Sequence, residues 1–237
     1  MSKQEEEEKR NTENSNEMFE NPDALANKLE STTDNIVKNK QSFILVGGLL
    51  GLMIALFFAY NYYTSTQNAE AEIEAFNAIY YFEEGEYQKA LDGDGNVLGF
   101  VDIINDFGSS KTANLAHYYA GASYLQLGKY DEAIEYLKGF SSNDLLLNAR
   151  SKALIGDAYS EKKDYTQAAK YYTEAAGIKP NKQFSPQYLE KAAVAYEAAG
   201  DAKAAEKSYK KIVDEFQGSA EHTNARKQLT RLQQATK

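Results

Sequence analysis

Asp92, Asp94 and Asn96 alternate along the run DGDGN, the spacing at which a calcium loop offers its first three oxygen ligands. Such a loop turns on a glycine at its sixth position and closes with a glutamate at its twelfth. Those positions hold Val97 and Ile103, so the run reads better as a glycine-rich turn opening the next helix. Two histidines, His117 and His222, are too few for a multi-histidine metal centre. His117 stands beside Tyr118 in a helical stretch and His222 in a polar linker, and no serine–carboxylate–histidine arrangement surrounds either. The absence of cysteine removes thiol catalysis, disulfides and zinc–thiolate sites. A net charge of −9 counts against nucleic acid as a partner, because phosphate contacts need clustered Lys and Arg. No catalytic, cofactor-binding or metal-binding residue is expected, and the composition leans towards a helical, non-catalytic protein.

The elements that would position any functional residue fall into three zones. Residues 1–41 form an acidic tail, expected to be disordered and then weakly helical from Pro22, with Leu25, Leu29 and Ile36 near one face. Residues 42–63 carry FILVGGLLGLMIALFFAYNYY, whose 21 residues span about 31 Å as a helix and match a hydrocarbon core of roughly 30 Å. Tyr60, Tyr62 and Tyr63 stand at one end, where an interfacial aromatic belt belongs. The acidic lead is too long for a signal-peptide n-region, so an uncleaved signal anchor is expected. Lys28, Lys38 and Lys40 precede the run, and the next cation is Lys89. The positive-inside rule then leaves the N-terminus cytosolic and carries residues 64–237 across. Gly47, Gly51 and Ala55 recur every fourth residue, a stripe that either seats another membrane helix or reflects how common glycine is in such helices.

Residues 64–237 contain an internal repeat. Four stretches align, beginning at Ala71, Asn114, Ala149 and Pro186, with offsets of 43, 35 and 37 residues. Their eighth position is always small (Ala78, Gly121, Gly156, Ala193) and their eleventh always tyrosine (Tyr81, Tyr124, Tyr159, Tyr196). Their fifteenth is Gly85, Gly128, Lys163 and Gly200, and their twentieth is always alanine (Ala90, Ala133, Ala168, Ala205). Small residues at positions 8 and 20 let two antiparallel helices, A and B, approach closely, while glycine at 15 accepts the positive φ of the turn. Lys163 implies a slightly different turn in the third unit. The units are expected near 71–107, 114–141, 149–180 and 186–217, with a nine-residue insertion after Leu91 and a capping helix at 221–234.

The Tyr/Gly/Ala pattern resembles tetratricopeptide repeats, whose period is 34 residues. The resemblance implies an all-α fold, a tetratricopeptide-repeat superhelix (an α-α solenoid) preceded by one transmembrane helix. The whole layout, from roughly residue 22 onwards, is similar to the YfgM-like family of bacterial membrane proteins in its Bacteroidetes-type form. GDGNVLGF followed by NLAHYYAGASYLQLGKYDEAIEYLKGF carries the closer likeness. That resemblance implies a single-pass inner-membrane protein with its C-terminal domain in the periplasm. It implies, as partners, subunits of the SecYEG translocon and periplasmic chaperones or client polypeptides, with no small-molecule substrate.

In this fold the A helices line the working groove. The register puts Ile79, Phe82, Leu115, Tyr118, Leu125 and Arg150 there, apolar in the first two units and acidic or polar in the last two. An apolar groove suits exposed segments of a client or a partner helix. The other reading is that Ile79, Phe82 and Leu125 pack against the insertion or a second copy. Arg150 is the one basic residue at these positions, which disfavours a carboxylate-clamp partner.

Overall fold

The computed structural model describes Ala26 and residues 40–235. Leu25, Leu29, Ile36, Lys28 and Lys38 of the tail lie outside the described residues. Ala26 is helical, and residues 40–235 form ten helices with no strand among them. The chain divides into two units, Met1–Tyr62 and Tyr63–Lys237.

Helix α1, Lys40–Glu83, begins in the first unit. There it is long and apolar enough to cross a membrane, with a mean hydropathy of 2.1 over its most apolar window. Its large side chains, from Ile44 to Phe58, are exposed. A Cβ built on Gly47 or Gly51 would meet nothing within 4 Å.

The second unit is a row of helix pairs. After the last part of α1 come α2 (Tyr87–Asp92) and α3 (Phe100–Asp106), then α4 (Lys111–Gln126) with α5 (Tyr130–Gly139). Next are α6 (Leu145–Glu161) with α7 (Tyr165–Gly177), α8 (Ser185–Ala198) with α9 (Ala202–Glu215), and the final α10 (His222–Ala235). Oxygen-bearing side chains start several of these helices by accepting from their first free N–H groups: Ser110 for α4, Asp144 for α6, Asp164 for α7 and Asp201 for α9. The small residues at positions 8 and 20 are buried in every pair, and the four alanines at position 20 are wholly inaccessible.

The turn between helices A and B is the same in all four pairs. The N–H of Glu86, Lys129, Asp164 and Asp201 donates to the carbonyl of the position-11 tyrosine, at 2.8–2.9 Å. The residue before it has positive φ: 78° at Gly85, 73° at Gly128, 81° at Gly200 and 61° at Lys163. The different turn expected for the third pair does not form. Two backbone hydrogen bonds, Lys163 to Ser160 and Asp164 to Tyr159, hold Lys163 in a left-handed conformation that costs a side-chain-bearing residue about 1–2 kcal/mol.

The first pair departs from the others as the insertion implied. Helix B is broken into α2 and α3, and Leu91, Phe100 and Ile103 from both pieces are wholly buried in one cluster. The loop between them is closed by its own backbone: a Cβ on Gly99 would fall 2.1 Å from the Leu91 carbonyl oxygen. Asp94 accepts from the Asn96 and Val97 N–H groups and from the Tyr81 hydroxyl at 2.8 Å. These bonds, the Asn96 N–H foremost, hold the Asp94 carboxyl below the usual aspartate range. The carboxylate that a calcium loop would lend to a cation therefore secures the turn.

Candidate functional site: the groove along the A helices

The structure separates the residues that the register grouped together. Ile79 and Phe82 are half-buried against the first cluster, and the Phe82 ring meets Tyr87 and Tyr119 edge-on at 5.6 and 5.2 Å. Leu115 and Leu125 pack on a cluster built from Ala133, Ile134, Leu137 and Ile155. Tyr118, expected on the groove surface, is only 7% exposed and lies 5.5 Å from the Phe140 ring. Its burial raises the hydroxyl pKa. The apolar half of the expected groove thus joins one pair to the next. Arg150 alone of the six is exposed.

Arg150 lines a cavity of about 480 Å³ between α6, the end of α7 and α8. Leu146, Leu154, Ile178 and Phe184 supply apolar walls, while Tyr188, Asp157 and Lys191 supply polar ones. Leu146 is 52% exposed, so part of the wall is open to a ligand. A second cavity of about 500 Å³ follows, lined by Tyr172, Glu190, Val194, Tyr209 and Gln228 among others. Lys191 lines both.

Three polar contacts stitch the A helices together, and each spans 34 residues, one repeat period. Lys191 on α8 donates to Asp157 on α6 at 2.7 Å. Asn224 on α10 donates to Glu190 on α8 at 2.5 Å. Arg231 on α10 pairs with Glu197 on α8. Each contact is partly solvated; the two ion pairs offset the charges of Asp157 and Glu197 on the face that the sequence read as acidic, while the neutral Asn224 amide leaves the Glu190 charge in place.

Two tyrosines at position 24 complete the arrangement. Tyr172 on α7 reaches between α6 and α8 and donates to Asp157 at 2.6 Å, and Tyr209 on α9 donates to Glu197 at 3.0 Å. Burial, then the neighbouring carboxylate, raises both hydroxyl pKa values. Position 24 holds Leu137 in the second unit, so no invariant residue drew attention to it. The position-11 tyrosines have another role. Tyr124 stacks on Tyr136 at 5.1 Å and Tyr159 on Tyr171 at 5.5 Å. Burial and the neighbouring Tyr136 push the Tyr124 hydroxyl up to about 12.

Residues 118–183 match a family model for the tetratricopeptide repeat, and residues 187–219 match a second model of the same repeat. The chain contains tetratricopeptide repeats. No curated protein matches it. The matched residues include both cavities' main walls, so the candidate site belongs to the tetratricopeptide part of the chain. Such repeats are protein-interaction modules, and among the described residues no group of three or more His, Asp or Glu could hold a metal ion.

Proposed function

We propose that this protein is a membrane-anchored scaffold whose tetratricopeptide repeats take an extended segment of a partner protein between α6, α8 and α10. The observation that carries the reading is Arg150. It is an exposed guanidinium that forms no ion pair among the described residues, at the edge of a cavity whose other walls are largely apolar. A guanidinium in that setting favours a polar or acidic group flanked by bulky apolar side chains.

The likeness to the YfgM-like family supports a finer reading: an accessory of the Sec translocon that helps pass secreted chains to periplasmic chaperones. The Lys38 and Lys40 flank supports an N-terminus in the cytosol and repeats in the periplasm. In this reading Gly47, Gly51 and Ala55 give the membrane helix a face that a translocon subunit can approach. Capture from membranes in mild detergent tests it. Translocon subunits should co-purify with the wild-type chain. The Arg150→Glu, Phe184→Ser variant should lose its partner while melting unchanged, because both side chains lie outside the core. Undiminished capture by that variant would remove the cavity from the site. Partners confined to envelope-assembly machinery would replace the translocon role with that of a structural organiser.

A further inference from the structure

The two ends of the repeat row are finished differently. The last helix, α10, buries Ala225 and Leu232 and leaves Arg226, Lys227, Thr230 and Gln233 outside. That polar outer face is what the end of a solenoid requires. At the other end, α1 packs through Ala71, Ala75, Ala78 and Phe82 onto the first cluster. Its opposite face, about 160° round the helix at 3.6 residues per turn, carries Ala69, Ile73, Phe76 and Tyr80. Ile73 is 72% exposed, Phe76 73% and Tyr80 54%. This helix is apolar on two sides, and among the described residues nothing of its own unit covers the outer side.

We infer that the outer stripe of α1, Ala69, Ile73, Phe76 and Tyr80, is the contact through which two copies of this chain pair in parallel. The inference rests on the anchored reading above. The stripe steps by four, three and four residues, the alternation with which one helix meets a parallel partner along a shared seam. The flanks suit a second copy. In a parallel pair Glu72 falls opposite Asn77 of the other copy and Ser65 opposite Glu70, so no like charges face each other. An anionic bilayer surface suits them badly, because Glu70, Glu72 and Glu74 surround the stripe and no Lys or Arg occurs from Thr64 to Gln88. The exposed side chains offer roughly 400 Å² per copy, against about 800 Å² per partner in a stable interface. The stripe is therefore too small to hold two freely diffusing copies. It suffices when membrane anchors keep both in one plane and make the encounter effectively intramolecular.

The chain has no cysteine, so single-cysteine variants of the full-length protein report without background. In membrane vesicles under mild oxidation, Ile73→Cys and Phe76→Cys should each give a disulfide-linked dimer, at least fivefold more than Glu74→Cys beside the seam. Equal yields at all three positions, no dimer at any, or a cross-linked product containing a different protein would each overturn the pairing. The Ile73→Glu, Phe76→Glu double variant should run as a monomer in mild detergent where the wild type runs as a dimer, with its melting temperature within about 2 °C of wild type. A large drop in melting would show that the stripe is core and overturn the proposal as well. Alkaline carbonate extraction of the same vesicles reports the anchor separately. An extracted chain defeats the anchored reading, whereas a retained chain without cross-links defeats the dimer alone.

Discussion

Gly156→Ala puts the close approach of helices A and B to a quantitative test. A Cβ on Gly156 would stand 2.7 Å from both Cδ1 and Cε1 of Tyr172, where carbon atoms normally sit about 3.5–4.0 Å apart. The ring would have to retreat by about 1 Å. It has little freedom to do so, because it is 4% exposed and its hydroxyl is tied to Asp157, which also holds Lys191. Overpacking of this kind costs about 1–3 kcal/mol, and the pinned ring puts this case in the upper part of that range, about 2–3 kcal/mol, while replacing glycine by alanine inside a helix returns about 1 kcal/mol. The net is a loss of about 1–2 kcal/mol, or roughly 2–8 °C in melting temperature for a domain of this size. Gly177 provides the control, since a Cβ there meets nothing within 4 Å. Gly177→Ala should be neutral or stabilising by up to about 1 kcal/mol. Urea titrations followed by circular dichroism compare the two. A Gly156→Ala protein as stable as wild type would refute the argument that position 8 is small because helix B leaves no room.

Three further outcomes are expected. Lys163→Gly should stabilise the fold by about 0.5–1 kcal/mol, seen as a higher urea midpoint, because glycine removes the left-handed strain at φ 61° and returns only part of the gain as unfolded-state entropy; a lower midpoint would show that the lysine side chain itself supports the turn. Tyr172→Phe should cost about 1–2 kcal/mol by deleting a hydrogen bond to a charged acceptor, and a neutral result would mean that Lys191 alone satisfies Asp157. His117 is half-buried, its Nδ1 has no hydrogen-bond partner among the described residues, and burial lowers its pKa from 6.5. The folded chain thus binds that proton less readily than the unfolded one, so the His117 contribution is complete above about pH 6.5 and is lost as pH falls through the lower folded value. His117→Phe should flatten this part of a stability–pH profile, and an unchanged slope would assign the acid sensitivity elsewhere.

The helix pairs, the apolar run and the broken first B helix were legible in the residues alone. Each depends on interactions within one pair or one helix. Small residues at positions 8 and 20 and the turn at position 15 recur because every pair meets the same steric demand, so they are visible as a period. The insertion was legible because DGDGN interrupts that period, and α3 begins at Phe100, shortly after it. Which faces of the A helices are surface follows only from how the pairs stack. An A helix in a stack is approached from several sides, and a register number does not say which neighbour arrives first. Phe82 and Tyr118 were therefore placed on the groove but lie in contacts between pairs, and only Arg150 stayed open. The Asp157–Lys191 and Glu197–Arg231 pairs and the reach of Tyr172 and Tyr209 were equally hidden. Each joins residues of different helices across a gap whose width is set by the stacking of whole units. Lys163 shows the same hierarchy at a single residue: its side chain disfavours positive φ, and the two hydrogen bonds of the turn impose it.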